Sequence, residues 1–273
     1  MTSLDLVGGG SSAIRRASDG TPIDARHDDG PSKALAIVVA HGFTGSWRRP
    51  AMRRVVSTLR EHAGVLSFDF RGHGRSGGFS TVGDREVLDL AAVVAWAAEL
   101  GYERIATVGF SMGASVVVRH AGLRDTAAES AAVRPSTAID AVAPAAVVAI
   151  SGPARWYYRG TPAMRRAHWV IERPMGRLVG RFALRTRIGA NGWNPIPEAP
   201  HEVAGRISPV PLLVVHGDAD HYFPVEHAEQ LYAAAKEPKE LWLEPGFGHA
   251  ENAAPPELLQ RVATWITTAV APR

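Results

Sequence analysis

Short apolar runs alternate with longer amphipathic segments along most of the chain, and this alternation restricts the fold more than any other feature. Runs this short and this continuously apolar are typical of strands that are covered on both faces. Strands that alternate with helices pair in parallel, with helices on both sides of the sheet, which defines the α/β class. The predicted strands are residues 34–42, 64–70, 104–110, 145–150, 211–217 and 240–244, and the predicted helices are 47–61, 86–100, 111–120, a stretch from 224 onward and 255–270.

The chain begins with a predicted hairpin and is long enough for one large domain. Residues 12–18 and 21–27 flank Asp19-Gly20, a dipeptide that favours a tight turn, so we expect an antiparallel edge on the sheet. A chain of 273 residues can hold one α/β domain with an insertion. We predict a core domain formed by residues 1–152 and 208–273, interrupted by an inserted helical lid at 153–207.

Composition and charge exclude several classes of protein. The chain contains no cysteine, which rules out disulfides, thiolate metal sites and a cysteine nucleophile. The formal net charge is only +3, and no basic face interleaved with aromatic residues is evident, so nucleic acid is not an expected partner. Residues 1–12 have no basic start and no long apolar run, which predicts a cytoplasmic protein without a signal peptide or a membrane span.

Chemically capable side chains follow most of the predicted parallel strands. In an open α/β sheet, ligands bind outside the carboxyl ends of the strands. The residues expected at this edge include a hydroxyl, several imidazoles and several carboxylates. They occur in the segments 41–43, 69–73, 109–111, 218–220 and 246–249.

Ser111 is the centre of a Gly-x-Ser-x-Gly pattern between a predicted strand and a predicted helix. Gly109 and Gly113 permit the sharp turn of a nucleophile elbow. Such a serine needs an imidazole to take its proton and a carboxylate to hold that imidazole in one tautomer. The elbow also places the N–H of Met112 at a helix N-terminus, where developing negative charge is favoured. A plain helix N-cap is the alternative role for Ser111.

Four motifs, in their order and spacing, resemble those of the α/β-hydrolase family over about residues 12–270. They are HGFTGS (41–46), DFRGHGRS (69–76), GFSMGA (109–114), and VVHGDADHYFP (214–224) followed by GFGHAE (246–251). The triad of that family runs serine, acid, histidine along the chain. The resemblance therefore implies the catalytic residues Ser111, Asp220 and His249, with no cofactor. Asp218 follows the same strand as Asp220 and is the alternative acid.

The resemblance also assigns a role to the loop after the first long strand. It implies that the backbone N–H of Phe43 is an oxyanion donor, beside the N–H of Met112. His41 is expected to organise this loop rather than to transfer protons. The polar residues of the DFRGHGRS motif are expected to be structural, and they are Asp69, Arg71 and His73.

A group of histidines late in the chain raises the question of a metal site. His216, His221 and His227 occur close to the carboxylates Asp218, Asp220 and Glu226. No His-Glu-x-x-His motif is present, and two of these imidazoles fall at a strand end and a helix start. We therefore predict no metal.

The predicted lid, residues 153–207, starts with aromatic residues and continues with two helices. Thr161 followed by Pro162 predicts the start of the first helix, and Pro174 predicts its end or a kink. A second helical stretch over residues 175–188 places four apolar residues on one face, which we expect to cover the pocket. They are Met175, Leu178, Val179 and Phe182.

An arginine row follows another face of the second predicted lid helix, at Arg173, Arg177, Arg181 and Arg185. It is either a solvated face or a basic surface for anionic lipid or a phosphate-bearing acyl carrier such as coenzyme A. The aromatic residues Trp156, Tyr157 and Tyr158 either line an acyl pocket or anchor the lid. Trp156, Tyr157 and Phe182 are the candidate substrate-binding residues.

Three functional hypotheses follow. The first is a serine hydrolase that cleaves acyl esters, similar to carboxylesterases and monoacylglycerol lipases, with a small-molecule or lipid-like substrate. The second keeps the same triad but acts on a thioester, an amide or a carbon–carbon bond, because fold analogy does not separate these substrates. The third is a binding protein on the hydrolase fold, which the complete triad disfavours.

Overall fold

The computed structural model describes residues 10–124 and 142–271, and their strands form one eight-stranded sheet in the order β1-β2-β4-β3-β5-β6-β7-β8. The first strand pairs antiparallel with the second, the second pairs antiparallel with the fourth, and the remaining pairs are parallel. The predicted α/β class and the antiparallel hairpin at the edge are confirmed. The strands are β1 (Gly10–Arg16), β2 (Pro22–Asp28), β3 (Leu35–Ala40), β4 (Gly64–Phe68), β5 (Arg104–Phe110), β6 (Ala146–Ile150), β7 (Leu212–Gly217) and β8 (Lys239–Glu244).

Helices cover both faces of this sheet. On one face α2, α3 and α7 pack on the strands, and on the other face α1 and α9 do so. Every residue of β3, β4, β6 and β7 is therefore buried, as their continuous apolar sequences require. The helices are α1 (Pro50–Leu59), α2 (Glu86–Glu99), α3 (Met112–Gly122), α4 (Pro162–Glu172), α5 (Pro174–Phe182), α6 (Pro200–Val203), α7 (Glu226–Ala234), α8 (Ala250–Ala253) and α9 (Pro256–Ala269).

The helices α4 and α5 lie in the chain between β6 and β7, where the alternation of strands and helices is interrupted. The predicted start of α4 is confirmed, because the Thr161 hydroxyl accepts a hydrogen bond from the N–H of Met164 at 3.2 Å. The predicted second helix ends earlier than expected, at Phe182. Beyond it, single β-bridges join Thr186 to His73 and Ile188 to Ser80, so long-range pairing takes the place of further helical turns.

The N-terminal nine residues, on which most of the signal-peptide prediction depends, lie outside the described part of the chain. Within residues 10–124 and 142–271, no helix is long and apolar enough to cross a membrane.

His120 makes the stability of this fold sensitive to acid. It is buried in α3, and neither ring nitrogen has a hydrogen-bond partner among the described residues. Burial lowers the pKa of His120 to about 3, whereas the unfolded chain takes up the proton near pH 6.5. The unfolded state thus binds more protons below pH 6.5, and the free energy of unfolding falls as the pH decreases.

We expect His120→Leu to remove part of this acid sensitivity. Between pH 7 and pH 4.5 the wild-type free energy of unfolding should fall by roughly 2–3 kcal/mol more than that of the variant. Urea unfolding at a series of pH values measures both slopes. Parallel pH profiles for the two proteins would contradict the assignment of this effect to His120.

Candidate active site

Ser111 occupies a strained turn between β5 and α3. Its φ of +52° and ψ of −114° lie outside the regions that side-chain-bearing residues favour. Gly109 and Gly113 allow β5 and α3 to lie close together. A Cβ atom on Gly109 would lie only 2.2 Å from the carbonyl oxygen of Gly113, which is a steric clash. The side chain of Ser111 makes no capping hydrogen bond to the helix, so the alternative role as an N-cap is not observed.

Three side chains from different parts of the chain meet at the carboxyl end of the sheet. The Oγ atom of Ser111 is 2.9 Å from Nε2 of His249, and Nδ1 of His249 is 2.7 Å from Oδ2 of Asp220. Asp220 follows β7 and its side chain is fully buried, while His249 lies between β8 and α8 with 11% of its side chain exposed. The structure thus brings together the three residues that the sequence motifs predict.

The surroundings of Asp220 keep its carboxyl group ionised. Burial alone raises the pKa of Asp220, but the hydrogen bond from His249 and the amide hydrogen bonds from Tyr222 and Phe223 outweigh it, so the pKa lies below its usual value. Those amides donate to Oδ1 at 2.8 and 3.1 Å, which leaves Oδ2 for His249. Asp218 instead accepts a hydrogen bond from the N–H of Gly246 at 2.7 Å and so braces the loop that leads to His249.

Two backbone amides near Ser111 are not engaged in hydrogen bonds among the described residues. The N–H groups of Phe43 and Met112 have no hydrogen-bond partner among the described residues, and both residues line the same cavity as Ser111. His41 fixes the loop that carries Phe43: its Nδ1 donates to the carbonyl of Gly42 at 2.7 Å, and its Nε2 accepts from the N–H of Phe70 at 3.1 Å. Burial lowers the pKa of His41 to about 4, which keeps the imidazole neutral and able to accept this bond.

The polar residues of the DFRGHGRS motif hold the surrounding loops. Asp69 accepts a hydrogen bond from the N–H of Trp47 at 2.9 Å, and Nε2 of His73 accepts one from the N–H of Thr44 at 3.2 Å. Arg71 forms a buried ion pair with Asp89, with nitrogen and oxygen 2.7 Å apart. Their positions agree with the structural roles that the sequence predicts.

Glu251 is a polar residue at the site that sequence reasoning did not single out. Its buried carboxylate accepts a hydrogen bond from the N–H of Gly42 at 3.1 Å. A Cβ on Gly42 would lie 3.3 Å from this carboxylate and 3.3 Å from Cβ of Ser111, so Glu251 lies beside Ser111 and the loop that carries Phe43. Its position two residues after His249, inside the GFGHAE motif, was the available signal.

A cavity of about 640 Å³ opens beside Ser111 and His249. Trp156 and Tyr157 line it, and both rings also pack against Trp193, with ring centroids 5.0 and 5.5 Å apart. Further apolar lining comes from the segment between β6 and β7, namely Met164, Val170, Ile171, Leu184 and Ile188. A mostly apolar cavity of this size fits a small organic ligand.

Phe182 and its helix lie differently from the prediction. Phe182 does not line the cavity, and its side chain is exposed. The helix α5 packs inward through Gly176 and Gly180: a Cβ on Gly176 would lie 2.2 Å from the carbonyl oxygen of Trp169. Because the glycine face is the one in contact, the apolar face expected to cover the pocket points to solvent instead. The prediction for this face was wrong.

The three histidines considered for a metal site are separate in their contacts. Nε2 of His216 donates to the carbonyl of Phe223 at 2.9 Å, Nδ1 of His227 accepts from the N–H of Ala154 at 3.1 Å, and His221 is exposed beside Tyr222. Among the described residues, no three histidine, aspartate or glutamate side chains form a group that could hold a metal ion.

Comparison with known proteins places the chain in a family. Residues 37–261 match the sequence profile described as the alpha/beta hydrolase family, and the chain belongs to that family. The fold of the chain is that of this hydrolase family, and the solved structures that it resembles include esterases.

Individual proteins resemble this chain to different extents. The esterase Pf2001 of Pyrococcus furiosus superposes with a TM-score of 0.73 at 25% identity, covering 99% of this chain and 95% of the other. The esterase Est1E of Butyrivibrio proteoclasticus, solved with ferulic acid, superposes with a TM-score of 0.59 at 19% identity over 94% of this chain and 98% of the other, a likeness of fold alone. The uncharacterized protein YfhR of Escherichia coli is 53% identical over 45 residues, only 16% of each chain.

Proposed function

We propose that the protein hydrolyses carboxylic acyl esters through an acyl-enzyme on Ser111. The observation that carries this proposal is the continuous hydrogen-bond chain from the Ser111 hydroxyl through His249 to Asp220. That chain ends at a cavity whose walls are mostly apolar, which favours an acyl group as the part of the substrate bound there.

The reaction follows from the roles of these atoms. Oγ of Ser111 attacks the carbonyl carbon, its proton moves to Nε2 of His249, and the carbonyl electron pair shifts to oxygen. The amide N–H groups of Phe43 and Met112 bind that oxyanion, while Asp220 stabilises the imidazolium. Collapse of the intermediate expels the alcohol, which takes the proton from Nε2. Water then attacks the acyl-enzyme by the same route and releases the acid and free Ser111.

The segment 153–207 is proposed to act as a lid that forms the acyl-binding wall of the cavity, on a core of residues 1–152 and 208–273. Trp156 and Tyr157 are the substrate-contacting residues in this proposal, because both line the cavity. The cytoplasmic location remains a prediction from the sequence.

A fluorophosphonate probe and an ester series test the proposal. The probe should label Ser111 in the folded protein and fail to label it after heat denaturation, because only the assembled site activates the hydroxyl. Nitrophenyl esters of increasing chain length, each paired with its matched thioester, then define the acyl group. Faster turnover of every thioester than of its ester would replace the ester assignment by a thioesterase.

Glu251 gives a more specific prediction for this mechanism. Glu251→Ala removes the acceptor that holds the Gly42 N–H and should lower kcat roughly tenfold or more with little change in KM, because the Phe43 amide then loses its position. Glu251→Gln keeps a side-chain carbonyl at this point and should retain most of the activity. Equal kcat values for the alanine variant and the wild type would show that the contact does not position the oxyanion loop.

A further inference from the structure

Part of the segment between β6 and β7 presents large apolar side chains to solvent. Met175, Leu178 and Phe182 on α5 are 62%, 50% and 71% exposed. Val179 on the same face and Trp169 on the neighbouring α4 are also exposed. We call these five residues the apolar face of α4 and α5. Contiguous exposed apolar side chains of this kind mark interaction surfaces.

The orientation of this face is built into the packing of α5. Its contacts with the rest of the protein run through Gly176 and Gly180, where a side chain would collide with the backbone of Trp169 or press on Ile188. The helix is therefore held by its glycine side, and turning the apolar side inward would break that contact. The solvent exposure of the apolar side chains of α5 is therefore a property of the packed, folded helix.

The same part of the chain is strongly basic. Residues 161–190 contain seven arginines and one glutamate, whereas the whole chain has a formal charge of only +3, so the remainder is net negative. None of these seven arginines forms an ion pair with a carboxylate among the described residues. Arg173, Arg181 and Arg185 are exposed around α5, and the guanidinium of Arg181 lies 5.6 Å from the ring centroid of Phe182.

We propose that the apolar face of α4 and α5 docks on the surface of a bilayer that contains anionic phospholipid. Apolar side chains next to uncompensated arginines match the boundary where acyl chains meet negatively charged headgroups. A second copy of the chain fits less well, because apposing two such faces would bring together six exposed arginines without carboxylate partners, namely Arg173, Arg181 and Arg185 from each copy.

Docking would place the cavity next to the bilayer. The side chain of Trp169 on α4 is exposed to solvent, whereas Met164, Ala167 and Ile171 of the same helix line the cavity. A single helix therefore separates the proposed docking face from the cavity. This attachment goes beyond the proposed reaction and is independent of it, because vesicle binding requires no turnover.

Sedimentation of the full chain with sucrose-loaded vesicles tests the proposal. Vesicles that mix phosphatidylcholine with phosphatidylglycerol should carry the protein into the pellet at low salt, high salt should release it, and pure phosphatidylcholine vesicles should bind it far more weakly. The triple variant Arg173→Glu/Arg181→Glu/Arg185→Glu should weaken binding about a hundredfold or more. Met175→Ser/Leu178→Ser should weaken it at least about tenfold.

Matched controls lie on other surfaces of the same protein. Ile14→Ser/Leu243→Ser removes exposed apolar side chains from the edge strands β1 and β8, and Arg53→Glu reverses an exposed charge on α1. These variants should bind the mixed vesicles as the wild type does, and thermal unfolding verifies that every variant is folded. Equal binding of the controls and the α5 variants would overturn the proposal.

Two further results would also overturn it. One is the absence of sedimentation with mixed vesicles at low salt. The other is a dimer in sedimentation-velocity runs that Met175→Ser/Leu178→Ser dissociates, which would assign the apolar face to a second copy of this chain. Fluorophosphonate labelling of Ser111 is measured without vesicles, so failure of membrane docking and failure of the proposed reaction are distinguishable.

Discussion

Replacing Ser111 by alanine should lower kcat for nitrophenyl esters by a factor on the order of 10⁶. The variant lacks the only atom that the proposed mechanism places for attack on the carbonyl carbon, while the amides of Phe43 and Met112 remain. Some rate enhancement over water should survive, because binding and oxyanion stabilisation do not depend on the hydroxyl.

Pre-steady-state kinetics sharpen this test. The wild type should release a burst of nitrophenol that approaches the enzyme concentration if deacylation is slower than acylation, and Ser111→Ala should release none. Circular dichroism and thermal unfolding verify that the variant is folded. Retention of more than about one per cent of the wild-type kcat would exclude Ser111 as the nucleophile.

Replacing Asp220 by asparagine should lower kcat by about 10⁴. The asparagine oxygen can still accept the amide hydrogen bonds from Tyr222 and Phe223, so the loop keeps its shape. Its NH₂ group then faces Nδ1 of His249 and favours the tautomer that carries the proton on Nε2. An imidazole protonated there cannot accept the proton of Ser111, so the loss appears in kcat rather than in stability.

Asp218→Asn provides the matched control, two residues away on the same loop. Its side-chain oxygen can still accept from the N–H of Gly246, and Asp218 makes no hydrogen bond to His249. We expect its kcat to lie within a few-fold of the wild-type value. Steady-state assays of both variants decide between the two candidate acids, and a larger loss in Asp218→Asn would make Asp218 the catalytic acid.

The sheet and the turn at Ser111 could be predicted because their signals are local, whereas Asp220 and His249 were predicted from the resemblance of their motifs to those of the α/β-hydrolase family. Continuous apolar runs are sufficient to predict buried strands, and the parallel order brings their carboxyl ends to one edge. The glycines around Ser111 encode the elbow within five residues, so this corner of the site is visible in the sequence.

The remaining features depend on contacts that are distant along the chain. Glu251 accepts a hydrogen bond from Gly42, which is 209 residues away in the sequence, and no local sequence pattern predicts that hydrogen bond. The end of α5 is likewise set by the bridge between Thr186 and His73. Sequence periodicity also shows that α5 has an apolar side, but it does not specify whether that side packs on the protein or faces solvent. The pair Gly176 and Gly180 was the signal in the sequence that marks the buried side of α5.

The glycine contact that holds α5 has an evolutionary consequence. Because the helix is attached through Gly176 and Gly180, its outward positions carry little of the free energy of folding. Substitutions at Met175, Leu178 or Phe182 can therefore accumulate without unfolding the protein. Related proteins could therefore change what the outward side of α5 binds, while Gly176 and Gly180 are retained.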